Sequence, residues 1–137
     1  MKPSVPGALA AAAAGLPDDV LIVEDDAIIA LDLEQTVEEF GVTQVRVASS
    51  VAQALAMIAE CSPDFALLDV GLSQEKSFAV AKRLTARKIP FAFVTGYSDK
   101  AFPPEYSRRP RLSKPCVRDE LFAVLSNWQT AAQDDTH

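Results

Sequence analysis

From residue 20 onward, apolar residues fall into two alternating patterns: short unbroken runs, and stripes at helical spacing. Val20, Leu21, Ile22 and Val23 form a continuous run, as in a strand buried on both faces. Ile29, Leu33, Val37 and Phe40 then recur at helical spacing, with Asp32, Glu34, Glu38 and Glu39 between them and Gly41 placed to end the helix. The stretch TQVRVAS predicts a second strand. Val51, Ala54, Leu55 and Ile58 mark a second helix, which Ser49 or Ser50 would cap. In DFALLDVGL, the run from Phe65 to Leu68 reads as a third buried strand, with Asp69 where it leaves the core and Gly71 at the turn. Phe78, Ala81 and Leu84 predict a third helix whose outer positions include Lys82, Arg83 and Arg87. Pro90 introduces a fourth strand, FAFV, and RLS before Lys114 makes a short fifth. Val117, Leu121, Val124, Leu125 and Trp128 line a last helix.

This alternation implies a doubly wound α/β domain, with parallel strands, right-handed crossovers and helices on both faces of the sheet. One segment fits badly. YSDKAFPPEYSRRP should hold a fourth helix, yet it carries Pro103, Pro104 and Pro110, so that helix is expected to be short or irregular.

Composition narrows the possibilities. A chain of 137 residues that is 49% hydrophobic suits one domain with a core of ordinary size, expected over residues 19–129. The Ala-rich stretch 1–18 reads as a flexible extension, since two prolines and a glycine interrupt its faint likeness to a secretory signal, and 130–137 reads as a tail. A formal net charge of -6 argues against nucleic acid or an anionic membrane as a general partner. No apolar run approaches the roughly 18 residues that a bilayer span requires. Cys61 and Cys116 lack metal-ligand spacing and fit a reducing compartment, so a cytoplasmic location is expected; both read as small buried hydrophobes rather than a redox pair.

Candidate chemistry sits at the strand ends, because doubly wound sheets gather reactive residues at the carboxyl ends of their strands. Strand one ends in Glu24, Asp25 and Asp26, strand three in Asp69, strand four in Thr95 and strand five in Lys114. Taken singly, each has a plain explanation: Asp25 or Asp26 as a helix cap, Thr95 with Gly96 as turn chemistry, Lys114 as a solvated end. Together they demand more. Carboxylates about 4 Å apart repel by roughly 4 kcal/mol at an effective dielectric of about 20, so something cationic must offset them. Lys114 is one candidate and a hard divalent ion such as Mg²⁺ is the other. A carboxylate beside Mg²⁺, an ammonium and a hydroxyl is equipped to accept a phosphoryl group. Gly96 would keep bulk out of the phosphoryl pocket.

VLIVEDD, FALLDV, FVTG and LSKP, in this order and at these strand ends, resemble the receiver domain of two-component response regulators over about residues 19–128. The resemblance implies a flavodoxin-like five-stranded sheet of order 2-1-3-4-5. It makes Asp69 the phosphoacceptor and Asp25 a direct Mg²⁺ ligand, with Glu24 acting on the metal through water and Gly71 offering its backbone carbonyl. Thr95 would be the switch hydroxyl and Lys114 the phosphate-pairing cation, leaving Asp26 as a cap or outer-shell acid. Two features depart from the family pattern. Arg111 stands where receivers usually carry an aromatic residue, and the interval from Thr95 to Lys114 is short. PFAFVTGYSD also resembles the FAT GUY group of stand-alone receivers, except at Val94 and Ser98. Tyr97 is then a candidate substitute switch aromatic, or else packs on Phe102 or Tyr106. Arg108, Arg109, Arg111 and Arg118 are either solvated charge or a face that docks an acidic partner.

The expected function is a single-domain phosphorylation switch or relay, without a DNA-binding domain or a membrane anchor. The partner implied is a sensor histidine kinase or a histidine phosphotransfer protein. Such a domain assists its own phosphorylation and dephosphorylation without being an enzyme in the usual sense. Two other classes compete: a receiver-shaped interaction module that is never phosphorylated, and an aspartate-dependent phosphatase of the haloacid dehalogenase type. The phosphatase class needs a second acid two residues after the nucleophile, where this chain has Gly71.

Overall fold

The computed structural model describes residues 15–70, 77–96, 109–114 and 116–129. Five strands, β1 (Asp19–Val23), β2 (Gln44–Ala48), β3 (Phe65–Asp69), β4 (Phe91–Thr95) and β5 (Arg111–Ser113), pair in parallel in the order β2-β1-β3-β4-β5. Among the described residues four helices connect or follow them: α1 (Ala27–Glu39), α2 (Val51–Glu60), α3 (Phe78–Ala86) and α4 (Arg118–Ser126). The sheet order is the one expected from the sequence. The segment 97–108, expected to hold a short or irregular helix, lies outside the described residues, as do Gly71, Tyr97 and Arg108.

Side chains alternate across a strand, so each buried strand feeds two cores. Leu21, Val23, Ala66, Leu68, Phe91 and Phe93 point to one face, where Val51, Ala54 and Ile58 of α2 and Val80, Ala81 and Leu84 of α3 cover them. Val20, Ile22, Phe65, Leu67, Ala92, Val94 and Leu112 point to the other, against Leu33 and Val37 of α1 and Leu121 and Leu125 of α4. Leu16, placed in the extension by the sequence pattern, is buried in this second core.

The helix ends follow local chemistry. Asp26 caps α1, its Oδ1 accepting from the backbone N–H of Ile28 at 2.9 Å and of Ile29 at 3.1 Å. After Phe40, Gly41 takes φ 108°, a left-handed conformation that ends the helix as its position predicts. Ser50 rather than Ser49 caps α2, accepting from Gln53 N–H at 3.1 Å, while the Gln53 side chain reaches back to Ser49. At the end of α3, Lys88 N–H donates to Thr85 O (3.0 Å) and Ile89 N–H to Leu84 O (2.9 Å), the paired bonds of a Schellman motif. The left-handed position of that motif belongs to Lys88 at φ 60°, where a Cβ is unfavourable.

Two arginines act structurally at the amino end of the sheet. Arg46 grips Asp19 with two hydrogen bonds, at 3.2 and 3.0 Å, and donates to the carbonyls of Met57 and Cys61 at the end of α2. Arg109, grouped by sequence with a docking cluster, is turned inward instead: it is 5% exposed, with its guanidinium 4.0 Å from the Phe91 ring centroid. Stacking on an aromatic face stabilises a planar cation that has left water, so Arg109 is withdrawn from any exposed docking face. Phe91 meets Phe93 edge-on, and Phe93 meets Phe78 in the same way at the start of α3. Cys61 departs from its expectation as well. It is exposed at the α2 terminus, since the helix has ended and its carbonyl turns to Arg46, whereas Cys116 is half-buried.

Candidate functional site

The sheet register brings the strand ends together. Val23 of β1 pairs with Leu68 of β3, Asp69 with Val94 of β4, and Thr95 with Ser113 of β5. Glu24, Asp69 and Lys114 each stand two residues beyond a buried apolar side chain of the second core, respectively Ile22, Leu67 and Leu112. Period-two alternation therefore points all three to the same face, where they close that core at the carboxyl edge. Lys114 Nζ lies 3.1 Å from Glu24 Oε1 and 3.1 Å from Asp69 Oδ1. Lys114 N–H also donates to Thr95 O at 2.9 Å, holding the ends of β4 and β5 in step.

Both acids are buried, Glu24 at 2% and Asp69 at 4% exposure, while Asp25 is half-buried and Asp26 is exposed. One carboxylate oxygen from each of Glu24, Asp25 and Asp69 lies within 4.8 Å of the others. Among the described residues, three carboxylates thus gather where Lys114 supplies an ammonium to two of them. Burial dominates the behaviour of Glu24, pushing its carboxyl up to about 7, with Asp69 adding to the rise while the Asp26 N–H and Lys114 oppose it. Desolvation pulls the Lys114 ammonium down, but its bonds to Asp69 and Glu24 outweigh that and leave it raised.

This donor set fits a hard divalent cation. Glu24 Oε1 is buried and sits at ion-pair distance from Lys114, yet its alignment is not that of a hydrogen bond, so it retains accepting capacity. All-oxygen ligation from two or three carboxylates suits Mg²⁺ and leaves positions for water. Thr95 is half-buried at the end of β4. A Cβ on Gly96 would meet Lys114 Cδ at 3.8 Å, ordinary contact distance, so a methyl group fits there and only a larger side chain would press on the lysine stem.

Of the remaining sequence candidates, Asp26 is engaged as a helix cap, Arg111 is exposed on β5, and Arg118 is exposed on α4, paired with Glu39 at 2.6 Å. Ile28 and Leu31 were not singled out from the sequence. They are 81% and 53% exposed beside the acidic hollow, and Val117 is exposed just past Lys114. The signal was available, because the stripe that takes Ile29, Leu33 and Val37 inward must turn Ile28 and Leu31 outward.

Comparison with known proteins agrees with this arrangement. A family model described as the response regulator receiver domain matches residues 20–126. The phyllosphere-induced regulator PhyR of Methylorubrum extorquens is 30% identical over 136 residues, covering 91% of this chain and 50% of PhyR. The chain spans about half the length of the curated relatives first matched. The solution structure of SdrG from Sphingomonas melonis Fr1 is 40% identical with a TM-score of 0.70, covering 84% of this chain and 95% of SdrG. The BeF3-activated conformation of SdrG, from Pseudomonas melonis Fr1, is 42% identical with a TM-score of 0.69, covering 79% and 92%. With its motifs, sheet order and family match in accord, this chain belongs to the response regulator receiver domain family.

Proposed function

We propose that the chain is a phosphorylation-operated switch in which Asp69 accepts a phosphoryl group from a phosphohistidine on a sensor histidine kinase or a histidine phosphotransfer protein. The observation that carries this reading is the placement of Lys114 Nζ at 3.1 Å from both Asp69 and Glu24, beside Asp25. An Asp69 carboxylate oxygen attacks phosphorus in line. The O–P bond forms as the N–P bond to the donor imidazole breaks, and the electron pair leaves on that nitrogen. Lys114 turns from the carboxylates to the phosphoryl oxygens, and the Thr95 hydroxyl moves to bond the group once it has arrived. Water attack on phosphorus later releases phosphate and restores the Asp69 carboxylate.

Asp25 and Asp69 would hold Mg²⁺ directly, with Glu24 acting through water and Gly71 contributing its carbonyl. The ion, when bound, supplies charge neutralisation at the phosphoryl oxygens. Ile28, Leu31 and Val117, apolar and exposed around the hollow, support docking of a protein donor rather than free diffusion of a small one. The BeF3-activated conformation of SdrG supports a switch between two states, which phosphorylation would bias in the segment after Thr95. An exposed free thiol at Cys61 fits a cytoplasmic setting.

Incubation with acetyl phosphate and Mg²⁺, followed by intact-mass measurement, tests the reading. Wild type should gain one phosphoryl group and Asp69→Asn none. An unmodified wild type would leave a binding module that never carries phosphate. Modification persisting in Asp69→Asn would move the acceptor elsewhere.

A further inference from the structure

Charge is segregated between two helices that lie on opposite faces of the sheet. Helix α1 carries Asp32, Glu34, Glu38 and Glu39 and no cation. Helix α3 with its terminal turn carries Lys82, Arg83, Arg87 and Lys88 and no acid, all four exposed. The relief of the two helices differs in the same complementary way. The outward stripe of α1 projects Ile28 and Leu31 beside Asp32, whereas that of α3 sets Lys82 and Arg83 between the exposed methyls of Ala79 and Ala86.

We propose that the outward face of α3 docks the outward face of α1 of a second copy of this chain. The two apolar side chains of α1 rest on the alanine floor of α3 while Asp32 and Glu38 meet Lys82 and Arg83. Because α1 and α3 cover opposite faces of the sheet, one contact cannot engage both patches of both copies. The association is therefore head-to-tail, and each copy can engage two neighbours. A single helix pair buries less than a standard interface, and the net charge of -6 opposes approach, so the contact is weak, with a Kd of about 10⁻⁴ M. It does not require a phosphoryl group on Asp69, although it covers Ile28 and Leu31 and so competes with docking of a protein donor there.

Sedimentation of the whole chain decides the matter. In about 0.05 M salt the weight-average mass should rise between about 20 µM and about 1 mM protein, and return to the monomer value in about 0.5 M salt. Lys82→Glu with Arg83→Glu should stay monomeric, as should Asp32→Lys with Glu38→Lys. Mixing these two variants should restore association, because the native α1 face of one meets the native α3 face of the other and the two reversed faces are again opposite in charge. Leu31→Ser, which leaves every charge in place, should weaken association at least about fivefold. A wild type that is monomeric throughout, association that ignores salt, or a variant mixture that fails to combine would overturn the proposal.

Discussion

Glu24 shows how one residue can set a condition on the whole site. Its carboxyl is pushed up to about 7, from an ordinary value of 4.5, so the folded protein binds a proton that the unfolded chain has already released. Stability therefore falls as pH rises from 4.5 through 7, by a total of about 3 kcal/mol at most. Denaturant titrations without divalent metal should find less stability at pH 8 than at pH 5.5, and Glu24→Gln should flatten that slope. A cation competes for the same carboxylate, so Mg²⁺ affinity measured by calorimetry should be about tenfold higher at pH 8 than at pH 6. Lys88 is the other telling residue. It occupies the left-handed position of the α3 terminus, so Lys88→Gly should raise stability by about 1 kcal/mol, read as a higher denaturation midpoint with an unchanged slope.

Among the elements, α1 ties local folding to the site. Asp26 offers its side chain to two N–H groups of α1, and its own N–H donates to Glu24 Oε2 at 3.1 Å. Cap and acidic hollow therefore share a backbone while using different side chains. Asp26→Ala should cost about 1 kcal/mol and Asp26→Ser almost nothing, measured by thermal denaturation. Mg²⁺ affinity should change little in Asp26→Ser, because an exposed cap oxygen faces the helix rather than the metal-binding hollow. The elements were largely legible in advance, since strands buried on both faces read as unbroken apolar runs and the helices carry their own caps. What periodicity left undetermined was side-chain orientation beyond the elements. Arg109 sits among charged and proline residues that resemble a solvated loop, yet an aromatic face on β4 draws it inside. Cys61 resembles a core residue but stands where α2 has already ended.

At the scale of the molecule, parallel register turns distant residues into neighbours. A ligand that binds only the folded state stabilises it in proportion to its occupancy. Mg²⁺ at about a hundred times its Kd should therefore add about 2.7 kcal/mol. Asp25→Asn should lose most of that gain in thermal denaturation, while its metal-free stability rises, because one of three mutually repelling carboxylates has been removed. No helix among the described residues is long and apolar enough to cross a membrane. The order β2-β1-β3-β4-β5 places β1 and β3 side by side at the centre, so Glu24 and Asp25 reach Asp69 across one strand spacing.

The sequence by itself determined the alternation of elements, the strand ends at which chemistry could sit, and the residue types that mark the family. These are local properties, encoded in side-chain periodicity and in short runs of polar residues. Only the tertiary structure decided which carboxylate Lys114 would meet, that Glu24 would be buried deeply enough to hold its proton near neutrality, and that Arg109 would turn inward. Ion-pair geometry and desolvation depend on what other strands bring alongside, and no stretch of chain carries that information alone.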